Sequence, residues 1–354
     1  CTDATFFILL HRTLQYIISS HLMRYLKNDN TDPYFNMAFD EYALEQLPLD
    51  EPLFYLWQNR PAVIIGLNQD AYNEVNLEYL REHDIALVRR VTGGGAVYHD
   101  FGNLNYTIVG RSADLNRDYP EYTRHMLRAL QSLGIEAELS GRNDILVSGR
   151  KVSGYAKRVY KDRLMVHGTL MYNVDLETLE RVLNPPMDKL NAKGIASVRS
   201  RVTNLSEYLP SVTDIDDFRI HIERHLSNNY HDTEVTLSNE QLQVVSSMAQ
   251  QKFMTEKWNF HRIAPKRDKE LIKYTQRLTC GMVSMQLQVE DGLITSCLLS
   301  GDFIGNLPPQ HLEHALIGLR YDRDDLYRNL SSMNIRDYFD GVTADELLHL
   351  FFNN

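Results

Sequence analysis

The stretch Arg89-Arg90-Val91-Thr92-Gly93-Gly94-Gly95-Ala96-Val97-Tyr98-His99-Asp100 sets three consecutive glycines between two strand-like runs. Ile85 to Arg90 reads as the strand entering the loop. Ala96 to His99 and Leu104 to Val109 read as the strands leaving it, parted by the turn Asp100-Phe101-Gly102-Asn103. With three Cβ atoms missing in a row, backbone N–H groups can approach an anion or an extended acyl chain closely. A bare glycine triplet reads as a loose hairpin loop. The adjoining Arg89 and Arg90 shift that reading, because paired guanidiniums suit phosphate or carboxylate. The spacing matches neither the Walker phosphate loop nor the dinucleotide fingerprint.

Outward from this loop, helices and strands alternate. Asp32-Pro33 opens a helix through about Leu47, with an apolar face from Phe35, Ala38, Phe39 and Tyr42. Leu53 to Trp57 and Ala62 to Leu67 read as strands, Asn76 to His83 and Tyr122 to Leu133 as helices, with Gly134 placed to end the second. Asp144 to Val147, Lys151 to Tyr160 and Leu164 to Val174 read as antiparallel strands. Asp175 can cap a helix through Leu183, which Pro185-Pro186 stops, and Phe218 to Leu226 is a further helix. Met282 to Val289 alternates with period two and turns at Glu290-Asp291-Gly292 into Leu293 to Leu299, a hairpin. Two helices follow, the last opened by the capping-box spacing Thr343-Ala344-Asp345-Glu346.

The chain of 354 residues, 43% hydrophobic and 24% charged, has room for two globular domains. The pattern is α+β: a catalytic domain over 23–258, a polar linker over 259–268 and a small α+β accessory domain over 269–354. Residues 1–22 read as an extension with no part in the chemistry. The apolar runs Phe6 to Leu10 and Leu14 to Ile18 are too short and interrupted to span a membrane, and they lack the charged start of a signal peptide. The formal net charge of −10 argues against nucleic acid as a partner. Three scattered cysteines (Cys1, Cys280, Cys297) form neither a disulfide framework nor a metal motif, which points to a reducing, cytoplasmic setting.

Two more segments bear on chemistry. Arg142 to Arg163 carries seven basic residues against Asp144 and Asp162, a local excess of +5 in an acidic chain. Such a run is by default a solvated face. Here, however, Lys151 directly follows the turn Ser148-Gly149-Arg150 on a strand with apolar Val152 and Tyr155. Asp144 enters another apolar strand, where a carboxylate could hold Mg²⁺ on a nucleotide phosphate. Lys193-Gly194-Ile195-Ala196-Ser197-Val198-Arg199-Ser200-Arg201 adds three bases and no acid. Three basic, glycine-containing segments in an acidic protein suggest convergence on one polyanionic ligand.

Together these motifs resemble lipoate–protein ligase A: Arg89 to Asp100 with Gly102-Asn103, Gly141-Arg142-Asn143-Asp144, Arg150-Lys151-Val152-Ser153-Gly154, His167-Gly168-Thr169-Leu170, and Lys193-Gly194-Ile195 with Ser197-Val198-Arg199, in that order. The resemblance is densest between Arg89 and Asn204 and weaker through Trp258-Asn259-Phe260 and the hairpin beyond. It implies a biotin/lipoate-ligase-like catalytic domain with mixed sheets flanked by helices. It implies two half-reactions: lipoate and MgATP give lipoyl-AMP and pyrophosphate, then an acceptor lysine takes the lipoyl group and AMP leaves. The implied acceptors are lipoyl domains of 2-oxoacid dehydrogenase complexes and the glycine-cleavage H protein. Lys151 is the implied catalytic residue, bridging the lipoyl carbonyl and the α-phosphate. Arg90, Thr92, Gly94, Gly95, His99 and His167 would contact lipoate or lipoyl-AMP. Gly95, Val97, Asn103, Asp144, Gly168 and Thr169 would contact ATP, with Asp144 on the magnesium.

Rival readings remain. Octanoyl or lipoyl transferases of the same fold use a cysteine nucleophile without ATP, and between Met23 and Leu271 this chain has no cysteine. A biotin ligase would carry arginines between its loop glycines. An inactive lipoyl- or nucleotide-binding homologue would have no need to retain both Lys151 and Asp144.

Overall fold

The computed structural model describes residues 23–112, 115–141, 143–183, 199–212, 214–227, 234–262 and 271–352, with the side chains of 115–118 and 199 excepted. The expectations for 1–22, Arg142, Pro185-Pro186, Lys193 to Val198 and most of the linker lie outside the described residues.

Fourteen strands are described. They are β1 (Arg24–Leu26), β2 (Leu53–Trp57), β3 (Ala62–Ile65), β4 (Ala86–Arg89), β5 (Val97–His99), β6 (Asn103–Arg111) and β7 (Ala137–Ser140). β8 (Asp144–Val147), β9 (Arg150–Tyr160), β10 (Arg163–Met171), β11 (Glu234–Val235), β12 (Ile272–Leu278), β13 (Gly281–Glu290) and β14 (Leu293–Ser300) follow. Eight form one mixed sheet in the order β11-β1-β2-β6-β10-β9-β8-β7. A small sheet, β4-β3-β5, carries the glycine loop between β4 and β5, and a third, β12-β13-β14, belongs to the C-terminal part.

Strand β6 shows how the large sheet is built. Both its faces are covered, so its polar and apolar residues alternate between two environments rather than between core and solvent. Leu104, Tyr106 and Ile108 join a core completed by Tyr122, Met126, Phe218 and Ile222. The opposite face, with Tyr55, Trp57, Val109 and Met165, packs on the helix α1 (Pro33–Glu45). Asp32 caps α1 by accepting from Tyr34 and Phe35 N–H, and Pro33 opens the first turn, as its sequence predicts. Helix α1 is buried almost all round, because the helix Asn239–Met248 and a π-helical turn, Ala249–Phe253, cover its outer side.

Elsewhere the structure extends or corrects the reading. The helix expected from Tyr122 begins upstream, at Leu115. The C-terminal part has four helices rather than two: Gln310–Leu316, Arg323–Ser331, Ile335–Tyr338 and Ala344–Phe352. Gln310–Leu316 and Ile335–Tyr338 carry little local signal: neither has a side-chain N-cap, and Ile335–Tyr338 is a single turn. Thr343 and Glu346 do form the expected capping box.

The start of the expected linker is tied down at both ends. Asn259 is buried against Arg89 of β4. Arg262, 2% exposed, pairs with buried Glu313 and donates to the Leu299 carbonyl. The C-terminal part touches the glycine loop directly: Gly94 N–H donates to the Phe303 carbonyl at 3.4 Å, and a Cβ on Gly93 would lie 2.4 Å from that oxygen.

Candidate active site

Two cross-strand rows on the α1 side of the large sheet form the floor of the site. Directly paired residues of antiparallel strands share a face. The pairings Trp57 with Asn105, Asn105 with Thr169, and Gly154 with Asp144 make one row from β2 to β8, in which the Gly154 N–H donates to Thr169 Oγ1 across β9 and β10. Tyr55, Thr107, His167 and Ala156 make the second. Above them lies a cleft open to solvent, with about 550 Å³ of empty space counting its open mouth. Its apolar wall includes Met37, Trp57, Ile64, Ala96, Val97 and Ala156. From Asn105 on β6 to Asp144 on β8 is three strand spacings, roughly 14 Å.

Lys151 occupies the β8 end. A bulge in the β8–β9 pairing, between Ile145 and Leu146, shifts Lys151 out of strict alternation. Its ammonium therefore shares the face of Gly154 and lies 2.7 Å from Asp144 Oδ1. Gly154 is required there: a Cβ would come within 2.7 Å of Lys151 Nζ and 2.9 Å of Cε. The Lys151 carbonyl accepts from Thr203 N–H, which holds the backbone. About a third of each side chain, Lys151 and Asp144, is exposed, so the pair can reopen toward a ligand.

The glycine loop is shaped by Arg90. Its guanidinium, 6% exposed, donates to the carbonyls of Ile64, Gly93 and Gly95 and to Thr92 Oγ1. Gly94 takes φ +93°, a left-handed conformation that favours glycine, and its carbonyl sits where a Cβ on Gly66 would stand. Arg89 does not join an anion site: it is fully buried, and its donors go to the carbonyls of Gly66, Leu67, Gln69, Trp258 and Asn259.

His167 is held from both sides. Nδ1 is 2.7 Å from Asp40 Oδ2, and Nε2 is 2.7 Å from Thr92 Oγ1. Asp40 also accepts from the hydroxyls of Tyr55 (2.6 Å) and Thr107 (2.9 Å). His99, 3% exposed, stands edge-on to Trp57, and burial next to Arg90 and His167 pushes its pKa down to about 3.

Of the expected site residues, Arg90, Gly95, Val97, His99, Lys151, His167, Gly168 and Thr169 line this one cleft, and Asp144 meets it through Lys151. Thr92 and Gly94 stand behind the lining, in contact with His167 and Arg90. Asn103 is buried below it, donating to Asn105 Oδ1. The run of bases from Arg142 is largely consumed in structure. Arg150 contacts Tyr208 and Glu207, Arg158 pairs with Glu45 and Glu41, Arg163 donates to the Leu44 and Leu47 carbonyls, and Lys157 pairs with Asp340. Asp40, Trp57, Asn59, Asn105 and Tyr155 were not singled out from the sequence. Cys280 and Cys297 lie buried in the C-terminal core, away from the cleft, and burial pushes the Cys297 thiol up. Among the described residues no group of three or more His, Cys, Asp or Glu could hold a metal unaided.

Family comparisons agree with this geometry. Residues 32–227 match the lipoyl protein ligase A/B catalytic domain, and residues 271–351 match the bacterial lipoate protein ligase C-terminus. This chain belongs to the lipoate–protein ligases. It is 35% identical over 335 residues to lipoate-protein ligase LplJ of Bacillus subtilis, covering 93% of this chain and all of the relative. Among solved structures, Plasmodium falciparum LipL1 in complex with lipoate superposes with a TM-score of 0.73 at 25% identity, over 88% of this chain and 94% of that one. A lipoate-protein ligase A bound with ATP gives 0.58 at 29% identity, over 68% of this chain and 98% of that one. The family and the α+β fold expected from the motifs are thus both correct, and the ligase is an ATP-dependent enzyme. No helix among the described residues is long and apolar enough to cross a membrane.

Proposed function

We propose that this ligase binds lipoate along the cleft with its tail toward Trp57 and its carboxylate toward Lys151. The observation that supports this most is Lys151 itself, the one lysine among the lining residues, in a cleft with apolar wall residues such as Met37, Trp57 and Ile64. A carboxylate oxygen attacks the α-phosphorus of ATP, the bond to the bridging oxygen breaks, and pyrophosphate leaves. The Lys151 ammonium neutralises the charge shared between carboxylate and phosphate. The ε-amine of an acceptor lysine then attacks the carbonyl carbon of lipoyl-AMP, forming an amide and releasing AMP.

The remaining assignments follow from position. Gly95, Val97, Gly168 and Thr169 offer backbone and short side chains to the nucleotide side, with Asn103 supporting from beneath. Arg90, with Thr92 and Gly94, keeps the loop shaped for the acyl chain, and His99 and His167 border it. Asp144 suits Mg²⁺, which is ordinarily held by one or two carboxylates together with substrate phosphates. The metal would supply charge neutralisation on those phosphates. Residues 23–258 are read as the catalytic unit and 269–354 as the accessory one. The acceptors proposed are lipoyl domains of 2-oxoacid dehydrogenases and the glycine-cleavage H protein. The working compartment proposed is the cytoplasm.

The test is intact-mass analysis of an isolated lipoyl domain or H protein after incubation with the ligase, lipoate, ATP and Mg²⁺. The expected result is one added lipoyl group, dependent on ATP and lost with EDTA. Modification without ATP when a lipoyl- or octanoyl-carrying donor protein replaces free lipoate would support the transferase reading, and no modification of either acceptor would refute the acceptor assignment.

A further inference from the structure

Without ligands, Lys151 and Asp144 are already each other's partner. Nζ lies 2.7 Å from Asp144 Oδ1, across the β8–β9 bulge that brings the two side chains to one face. Gly154, directly opposite Asp144, has no Cβ to hold them apart. Oδ1 is shielded from water and, apart from this ion pair, has no hydrogen-bond partner among the described residues. No acid stands among the residues that line the cleft, so Asp144 is the carboxylate that sets the charge at this end. The other lining cation, Arg90, directs its donors to Thr92 and to the carbonyls of Ile64, Gly93 and Gly95. The ammonium that an incoming carboxylate would use is therefore neutralised before that carboxylate arrives.

We propose that Asp144 sets the affinity for the acid: its ion pair with Lys151 weakens lipoate binding until the cation of a metal-bound nucleotide takes the carboxylate over. This rests on the lipoate orientation proposed above. The charges fix the direction of the effect. In the ligand-free protein, a second carboxylate at Lys151 must share one ammonium with Asp144 and stands close to a like charge. Drawing the ammonium away from Asp144 instead leaves Oδ1 with no counter-charge. A divalent cation bridging Asp144 and the phosphates relieves both costs. Acid and metal–nucleotide therefore bind with positive coupling, and by linkage each strengthens the other by the same factor. Lys151 and Asp144 are 33% and 35% exposed, so solvent screens the pair and the coupling is modest. Free lipoate is thus held loosely until ATP and its metal are in place.

The experiment is titration calorimetry of lipoate into the whole protein. The nucleotide is α,β-methylene-ATP, whose bridging carbon prevents release of pyrophosphate. For the unaltered enzyme saturated with this analogue, replacing EDTA by Mg²⁺ is expected to lower the lipoate Kd roughly two- to fivefold, the scale of a partly exposed ion pair. Asp144→Asn keeps the shape and removes the charge. Without nucleotide or metal it should bind lipoate more tightly than the unaltered enzyme by a similar factor, and Mg²⁺ should no longer matter, while its adenylation slows. A merely structural role for Asp144 would weaken both. A folded Asp144→Asn protein, checked by its melting transition, that binds lipoate no more tightly overturns the proposal. So does an unaltered enzyme whose lipoate Kd ignores Mg²⁺, an outcome read without any variant needing to fold. Lys151→Ala separates this failure from that of the underlying orientation. If it binds lipoate as tightly as the unaltered enzyme, the carboxylate does not meet Lys151 and the orientation itself falls.

Discussion

Asp40 and His167, far apart in the chain, meet with their Oδ2 and Nδ1 atoms 2.7 Å apart and tie helix α1 to the centre of the large sheet. The link continues. Thr92 Oγ1 accepts from Arg90 Nε at 3.0 Å, which turns its own proton toward His167 Nε2. One buried carboxylate therefore helps set the shape of the glycine loop through His167, Thr92 and Arg90. Asp40→Ala would orphan the hydroxyls of Tyr55 and Thr107 as well as the imidazole. The expected cost is about 3 kcal/mol of unfolding free energy, read from urea denaturation. Adenylation should fall as well, with KM for the acid rising, because the loop loses its anchor.

Gly154 and Lys151 make a sharper pair. Gly154→Ala places a methyl group within 2.7 Å of Lys151 Nζ, the movable end of a side chain about one-third exposed. The lysine should swing away and the fold survive. The expected outcome is a Tm close to that of the unaltered protein, with adenylation reduced about as much as in Lys151→Ala, by roughly 10²–10³-fold. At Gly168 the same substitution meets the Gly154 carbonyl at 2.8 Å and the Tyr106 hydroxyl at 2.6 Å, so there stability should fall first. Comparing the two alanine variants by thermal melts and pyrophosphate release checks both statements.

Acid should destabilise the fold before any carboxylate titrates in the unfolded chain. Burial depresses His99 to about 3 and His261 to about 4, against an ordinary value of about 6.5. The unfolded chain therefore binds these protons first as pH falls. Their contribution is complete above about pH 6.5 and is lost progressively below it, down through the folded values. Asp70 and Asp100, raised by burial, act in the opposite sense within the carboxylate range. Calorimetry is expected to show Tm falling by about 3 °C or more between pH 6.5 and 5.5. A Tm that is flat across that interval would remove the neutral, buried His99.

The Arg262–Glu313 pair joins the segment after Asn259 to the C-terminal core. Glu313 also accepts from the Leu299 N–H at 2.7 Å. Glu313→Leu leaves a buried guanidinium without its carboxylate, at a cost of about 3–5 kcal/mol. Scanning calorimetry should show the transition of the C-terminal part moving down, while Asp40→Ala lowers the catalytic transition.

How far the sequence could be read depended on punctuation. The Asp32-Pro33 start, the Glu290-Asp291-Gly292 turn and the Thr343 capping box carry their signals locally, and all three stand in the structure. Ser238 with Gln241 forms an equally local capping box, and the helix it opens was legible but unread. Strand β12, Ile272–Leu278, lies at a sheet edge and alternates strictly between half-buried and exposed residues, with Ile272, Tyr274 and Leu278 on the half-buried face, so it too was legible. The glycine loop and Lys151 were legible because their chemistry is unusual in a strand-rich stretch. Asp40 and Asn105 were not, although each leaves a trace. Asp40 is a carboxylate amid the buried run of α1, and Asn105 with Thr107 alternates with apolar residues on a strand that is covered on both sides. Such polar residues become meaningful only when the partners across the sheet are known. The same limit explains the basic run from Arg142, whose charges are spent on Glu41, Glu45, Glu207 and Asp340, residues distant in sequence.

The central claim is that the cleft between Trp57 and Lys151 assembles lipoyl-AMP. It is tested most directly by mixing the protein with lipoate, ATP and Mg²⁺, without acceptor, and quantifying lipoyl-AMP and pyrophosphate by mass spectrometry. The account predicts both products in equal amounts, and both reduced roughly 10²–10³-fold in Lys151→Ala while that variant keeps its melting transition. Undiminished lipoyl-AMP formation by the folded Lys151→Ala protein, or none by the unaltered one, would contradict it.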